Sequence, residues 1–198
     1  QTHPDKPAIV IAATGETITY RQLDERSNQG AHLLRSLGLK RGDVIAVCME
    51  NHPRYLEISW ANQRCGSYLV CISSKATVAE AQYIIEDCGA KLFITSPHMN
   101  ELAQQLAPRL PGRMLYMVGE PQAPYRSWER EREQMPKTPI ADESAGADML
   151  YSSGTTGRPK GIRTALPTDP IQTPNLLVQL ASKLYGLRSD SVYLSPAP

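Results

Sequence analysis

The sequence is organised around one stretch of eleven residues, Tyr151-Ser152-Ser153-Gly154-Thr155-Thr156-Gly157-Arg158-Pro159-Lys160-Gly161. Its glycines can adopt positive φ angles and let the backbone approach a ligand closely. Successive N–H groups in such a loop can converge on one concave spot that suits an anion. The serine and threonine hydroxyls can serve phosphate oxygens or a hard cation, and Lys160 adds a positive point charge. The composition therefore predicts a polyphosphate-binding loop over residues 151–161.

This stretch differs from the loops of two other nucleotide-binding classes. The P-loop requires Gly-x4-Gly-Lys-[Ser/Thr], whereas here Arg158 and Pro159 interrupt that spacing and Lys160 precedes Gly161 instead of a hydroxyl residue. A redox Rossmann domain is disfavoured because no G-x-G-x-x-G follows the early strands. An ordinary surface turn rich in Ser, Gly and Thr is the structural alternative, but turns rarely need Pro-Lys-Gly as well.

The composition describes an ordinary globular chain. Its 198 residues are 41% hydrophobic and 21% charged, with a formal net charge of +1, which allows one sizeable core or two small domains. The near-neutral balance gives no support to a nucleic-acid or anionic-membrane partner, and no run approaches the roughly 18 apolar residues of a membrane span. We expect no secretory leader, and because Gln1 is not a start methionine we expect the true N-terminus to be missing.

The cysteines and histidines indicate no metal site. Cys48, Cys65, Cys71 and Cys88 show no CxxC pair, so we predict a reduced, cytoplasmic interior in preference to a disulfide frame or a zinc site. The four histidines are expected in surface or capping roles. Tyr55 and Trp60, at helical positions, are expected in the core.

Strand-like and helix-like segments alternate along the chain. Strands are predicted at 8–12, near 18, and at 44–48, 68–72, 91–94, 113–118 and 147–151, and helices at 20–37, 53–65, 78–87, 101–107 and 176–187. Capping boxes at Thr19-x-x-Gln22 and Thr77-x-x-Glu80 predict two of the helix starts. Continuous apolar runs such as 44–48 are typical of buried parallel strands. This alternation predicts an α/β fold with a doubly wound, mostly parallel sheet and flanking helices.

Three segments depart from this alternation. Residues 119–146 lose the apolar rhythm, and we expect a surface excursion with one short solvated helix in preference to a partner-binding element. Residues 162–174 are expected to form an extended connection, and residues 192–195 a strand entering the core. Because a strand is predicted at 147–151, the phosphate-binding loop should follow the carboxyl end of a strand, where open α/β sheets bind ligands.

The eleven-residue stretch resembles the signature loop of the adenylate-forming superfamily of acyl-CoA synthetases, luciferases and peptide-synthetase adenylation domains. The pattern of that loop is [Tyr/Phe]-[Thr/Ser]-Ser-Gly-[Ser/Thr]-Thr-Gly-x-Pro-Lys-Gly, and residues 151–161 match this pattern at essentially every position. Thr19-Tyr20-x-x-Leu23 and Gly38-Leu39-x-x-Gly42-Asp43-Val44 are similar to early segments of acyl-CoA synthetases, and Leu194-Ser195-Pro196-Ala197-Pro198 is similar to fatty-acyl-CoA synthetases. The resemblance spans most of residues 1–198 and implies a partial N-terminal AMP-binding domain.

The resemblance implies an ATP-dependent acyl-CoA ligase. A carboxylic acid, most simply a fatty acid, would attack the α-phosphorus of ATP to give an acyl-adenylate and pyrophosphate, and coenzyme A would then displace AMP. The residues implied to bind the ATP phosphates are Ser152, Ser153, Gly154, Thr155, Thr156, Gly157 and Lys160, and Ser152 is also implied as a Mg²⁺ contact. Arg158 occupies a variable position of the pattern and is assigned no role.

The resemblance also implies that part of the enzyme is lacking. The residues that grip adenine and ribose, the hinge and the C-terminal domain with its catalytic lysine would lie beyond Pro198, so we expect this fragment alone to be inactive. Two alternatives stay open: a non-catalytic nucleotide-binding module, and an adenylation domain that loads a carrier protein.

Overall fold

A computed structural model of the chain describes residues 3–152, 158–174 and 176–194. It begins with a predicted antiparallel hairpin, in which β1 (Pro7–Val10) pairs with β2 (Thr17–Thr19). Helix α1 (Tyr20–Ser36) follows at once, and both halves of its predicted capping box are present: the Thr19 side chain accepts from the Gln22 N–H and the Gln22 side chain accepts from the Thr19 N–H. Gly38, with φ of 82°, allows the chain to turn away after α1.

Within the residues that the structure describes, six parallel strands form the main sheet. In chain order they are β3 (Val44–Cys48), β4 (Tyr68–Ile72), β5 (Leu92–Thr95), β6 (Met114–Met117), β7 (Arg126–Ser127) and β8 (Ala147–Asp148). Their spatial order is β7-β6-β5-β3-β4-β8, and every pairing is parallel. The earliest of them, β3, lies in the interior of the sheet and all its residues are buried, which explains its continuous apolar sequence. The predicted α/β fold with a mostly parallel sheet is confirmed.

In the described part of the chain, five further α-helices follow α1. They are α2 (Tyr55–Arg64), α3 (Val78–Asp87), α4 (Asn100–Leu106), α5 (Trp128–Arg132) and α6 (Leu176–Leu184). The second predicted capping box is also present, between Thr77 and Glu80 at the start of α3. Among the described residues, no helix is long and apolar enough to cross a membrane.

Helices cover both faces of the sheet. Ile45 and Val47 belong to the buried cluster that contains residues of α1, α2 and α5, whereas Val44, Ala46 and Cys48 belong to the cluster with residues of α3 and α4. This alternation follows from the two-residue period of a strand. The face covered by α3 and α4 is the one that positions the candidate site described below.

The short helix expected within residues 119–146 is present as α5, but the expectation that it is solvated is wrong. The side chain of Trp128, on α5, is completely buried, and Arg132 is also buried. The Trp128 indole N–H donates to Glu57 Oε1 at 3.0 Å, and the ring lies against Gly30 of α1, where an added Cβ would stand 3.0 Å from it. The segment is therefore anchored in the core by Trp128, although most of its neighbours in sequence are charged. Strand β7 of the same segment adds a strand to the edge of the sheet.

Two other expectations also fail. Trp60 is 46% exposed because the buried face of α2 is formed by Glu57, Ile58, Ala61 and Asn62; Tyr55, in contrast, packs against the core as expected. Residues 192–194 form no strand and their side chains are exposed. A strand needs a partner edge for its backbone hydrogen bonds, and this segment pairs with no strand in the described part of the chain.

Candidate functional site

The predicted phosphate-binding loop belongs to a hairpin that leaves the main sheet. Pairing between β8 and β4 ends at Asp148, with one further hydrogen bond from the Met149 N–H to Leu69 O. Strand β9 (Leu150–Ser152) then pairs with β10 (Lys160–Ile162) in antiparallel register. A single sheet strand over 147–151 was therefore a wrong prediction, because β9 finds its partner in β10, a strand that the sequence analysis missed.

The two strands of this hairpin stem present two different faces. Ser152 lies opposite Lys160 and Leu150 lies opposite Ile162; side chains of paired residues share one face of a two-stranded sheet. Leu150, Ser152, Lys160 and Ile162 are exposed, so this face is open to solvent. The other face carries Tyr151 opposite Gly161, and it is turned toward α3.

The structure brings together two of the predicted site residues, Ser152 and Lys160, across the stem. The other five, Ser153, Gly154, Thr155, Thr156 and Gly157, lie outside the described residues. Within the described part of the chain, Lys160 forms no ion pair. A solvent-facing ammonium opposite a hydroxyl is an arrangement that fits phosphate oxygens.

The described residues fit a magnesium ion less completely. They contain no group of three or more His, Cys, Asp or Glu side chains that could hold a metal. The Ser152 hydroxyl is a hard oxygen ligand of the type that Mg²⁺ accepts, and Mg²⁺ commonly takes its other ligands from water and substrate phosphates. Ser152 as a Mg²⁺ contact remains a prediction.

Gly161 is required by packing. A Cβ at this position would lie 2.5 Å from Met149 Cε and 2.8 Å from Tyr151 Cζ, so any larger residue would require the Met149 and Tyr151 side chains to shift. The Tyr151 ring lies across the glycine and packs against the edge of the core. The first and last residues of the eleven-residue stretch are therefore matched to each other.

The face that carries Tyr151 is anchored to α3. The Tyr151 hydroxyl donates to Asp87 Oδ2 at 2.6 Å, and the Tyr83 hydroxyl donates to the Pro159 carbonyl at 3.1 Å. The Arg158 guanidinium lies 5.2 Å from the centre of the Tyr83 ring, within the range of a cation–π contact. Burial and the hydrogen bond to Asp87 raise the pKa of Tyr151, so this phenol remains a donor at neutral pH.

Tyr83 and Asp87 were not among the site residues predicted from the sequence. Both lie on α3, more than sixty residues before the motif, and their sequence context is that of an ordinary helix end. Their spacing of four residues places them on the same side of the helix, which is the only local signal that they act together.

The segment after β10, residues 163–174, contains no helix or strand, and hydrogen bonds attach it to the body of the domain. The Tyr68 hydroxyl donates to Thr164 O at 2.6 Å, and Arg41 donates to Pro167 O at 2.6 Å. Arg163 donates to Gly42 O at 2.8 Å, and its guanidinium lies 4.4 Å from the centre of the Tyr68 ring. The hairpin is thus held at its base as well as along one face.

Comparison with known proteins adds a family assignment to this geometry. The profile of the AMP-binding enzyme family matches residues 1–198. A fatty acid–[acyl-carrier-protein] ligase, ScoC of Streptomyces coeruleorubidus, is 30% identical over 162 residues, which cover 82% of this chain and 30% of the relative. A feruloyl-CoA synthase of an Amycolatopsis species is 30% identical over 191 residues, which cover 96% of this chain and 36% of the relative.

A solved structure shows the same fold. The anthranilate CoA ligase AuaEII, crystallised in complex with anthranoyl-AMP, superposes with a TM-score of 0.74 and 26% sequence identity. The match covers 81% of this chain and 32% of AuaEII. The chain thus spans about a third of the length of each of these three proteins.

Proposed function

This chain belongs to the AMP-binding enzyme family, and from that premise we propose that it is part of an ATP-dependent ligase that activates a carboxylic acid as its acyl-adenylate. The acid would attack the α-phosphorus of ATP, pyrophosphate would leave, and a thiol would then take the acyl group and release AMP. The observation that carries this proposal is the open face of the hairpin stem, where Lys160 stands opposite Ser152 on either side of the Ser/Gly/Thr-rich residues.

Each described residue of the site has a role in this proposal. The Lys160 ammonium binds oxygens of the β- and γ-phosphates and stabilises the charge that accumulates on the departing pyrophosphate. The Ser152 hydroxyl donates to a phosphate oxygen or contacts Mg²⁺, which would neutralise the same phosphates. Residues 153–157 would supply further N–H and hydroxyl donors.

We further propose a fatty acid as the substrate and coenzyme A as the acceptor, in a cytoplasmic enzyme. The support is the sequence similarity to acyl-CoA synthetases and the match to the feruloyl-CoA synthase. The second candidate is transfer to a carrier protein, which is favoured by the match to the fatty acid–[acyl-carrier-protein] ligase.

Pyrophosphate release tests this function. The full-length gene product would be given ATP, Mg²⁺ and a panel of fatty and aromatic acids, with the Lys160→Ala variant beside it. We expect acid-dependent release, and we expect Lys160→Ala to slow it by ~10²-fold because a group that stabilises transition-state charge is removed. Lys40→Ala is the matched control, since Lys40 is exposed in the turn before β3 and lies outside the hairpin.

The outcomes separate the alternatives. No release with any acid, from a folded protein that binds ATP, would favour a non-catalytic nucleotide-binding module. Equal rates for wild type and Lys160→Ala would remove Lys160 from the site. Addition of coenzyme A or of a phosphopantetheinylated carrier protein, with AMP as the measured product, would identify the acceptor.

A further inference from the structure

We propose that Tyr83 and Asp87 are positioning residues for the phosphate-binding site. Together they form a clamp, consisting of the Tyr151–Asp87 and Tyr83–Pro159 hydrogen bonds and the Arg158–Tyr83 contact. This clamp would hold the hairpin stem on α3 and so fix the direction in which Ser152 and Lys160 point. The inference rests on the proposed function, because it concerns the same site.

The clamp holds both sides of the stem with one helix. Asp87 accepts from Tyr151 on β9, and Tyr83 donates to the carbonyl of Pro159, the residue before β10. Tyr83 and Asp87 are one helical turn apart, and α3 itself is fixed in the core through Ala81, Ile84 and Ile85. Both strands of the stem are thus held in place by the same rigid helix, α3.

The clamp acts directly next to the residues that would bind phosphate. Ser152 follows Tyr151 in β9, and Lys160 follows Pro159 in the chain. Because successive side chains of a strand point to opposite faces, a Tyr151 ring held against α3 turns Ser152 to the open face. The ring keeps this place because Gly161 leaves room for it across the stem.

The exposure of the clamp favours a positioning role over a general role in stability. Asp87 is exposed, and Tyr83 and Tyr151 are only partly buried. Surface substitutions usually have small effects on global stability, whereas a displacement of about 1 Å in a catalytic group can cost ~10²-fold in rate. Loss of the clamp should therefore affect ATP use more than folding.

The test compares Tyr151→Phe, Asp87→Leu and Asp87→Asn in the full-length protein. We expect Tyr151→Phe and Asp87→Leu to raise the KM and the dissociation constant for ATP by roughly tenfold, with the KM for the acid unchanged and the Tm lowered by no more than a few degrees. Asp87→Asn keeps an oxygen acceptor for the Tyr151 hydroxyl, so it should restore most of the ATP affinity.

Tyr125→Phe is the matched control. It removes a buried phenol that donates to Ala103 O at 2.8 Å, away from the hairpin, so it should lower the Tm and leave the ATP constants unchanged. The clamp is overturned if Tyr151→Phe and Asp87→Leu bind ATP as the wild type does, or if Tyr125→Phe weakens ATP binding equally.

The result also distinguishes this inference from the proposed function. If wild type releases pyrophosphate with an acid and the clamp variants keep their ATP constants, the function stands and the clamp fails. If wild type binds ATP but activates no acid, the proposed function fails. The clamp is then tested by the dissociation constants for ATP of the wild type and the clamp variants. Absence of ATP binding by the wild type would overturn both.

Discussion

Trp128 and Tyr151 each donate a hydrogen bond to a carboxylate on a neighbouring helix, and the surroundings of these two bonds differ sharply. The Trp128 indole reaches Glu57 of α2 at 3.0 Å, and the two side chains are 0% and 1% exposed. The Tyr151 phenol reaches Asp87 of α3 at 2.6 Å, and Asp87 is exposed to solvent. The first bond joins parts of the core, and the second joins the candidate site to the core.

This difference shows how the same type of contact serves two purposes. A buried polar link costs much when it is broken, because the partner left behind loses both its bond and its access to water. An exposed link can be replaced by water at small cost, so its loss changes position more than stability. We therefore expect substitutions at the Trp128–Glu57 bond to change mainly the free energy of unfolding. Substitutions at the Tyr151–Asp87 bond should change mainly the dissociation constant for ATP.

Trp128→Ala should produce the largest loss of stability among these substitutions, because it removes the buried partner of Glu57. Removal of a completely buried tryptophan leaves a cavity between α1 and α2 and takes one hydrogen bond from Glu57, so we expect a loss of ~3–5 kcal/mol in the free energy of unfolding. Chemical denaturation measures it. Trp60→Ala is the matched control, because Trp60 is half exposed on α2, and it should cost much less. Equal losses would contradict the buried anchor.

Glu57→Gln should change stability by a smaller amount, and the change should depend on pH. Burial raises the pKa of Glu57 above its ordinary 4.5, in spite of Arg132, Trp128, Arg54 and Arg26 around it. The unfolded chain therefore ionises first as the pH rises from about 4.5, and this ionisation favours unfolding. Between the two pKa values the wild type should lose ~1.4 kcal/mol per pH unit from this group.

Glutamine cannot ionise, so Glu57→Gln should gain stability relative to the wild type as the pH rises above about 4.5. Denaturation curves of both proteins at several pH values measure this difference, and Asp87→Asn is the control at the exposed link. A difference between wild type and Glu57→Gln that stays constant with pH would contradict the raised pKa.

Most of the sheet could be predicted from sequence because its signals are local. The apolar runs of β3 and β4 and the capping boxes at Thr19 and Thr77 each lie within a few neighbouring residues, and the structure confirms them. Trp128 could not be placed in this way. Its neighbours are charged, and its burial depends on a gap beside Gly30, almost a hundred residues earlier.

The candidate site likewise has features that could be predicted from sequence and features that could not. Ser152 and Lys160 could be named from the motif alone, since the motif is contiguous in sequence. Their opposition across a hairpin could not, because β10 is only three residues long and gains its strand structure by pairing with β9. Tyr83 and Asp87 are distant from the motif in sequence and are brought next to it only by the fold, so no pattern near the motif indicates them.

If the open face of the hairpin stem binds the phosphates of ATP, Lys160 should contribute to the affinity for ATP and not to the affinity for adenosine, and equilibrium binding measures both. Dissociation constants for ATP and for adenosine would be measured with the full-length wild type and with Lys160→Ala. Loss of a charge-assisted hydrogen bond predicts ATP binding weaker by roughly 10- to 100-fold, with adenosine binding unchanged. Unchanged ATP binding, or equal weakening for both ligands, would contradict the claim.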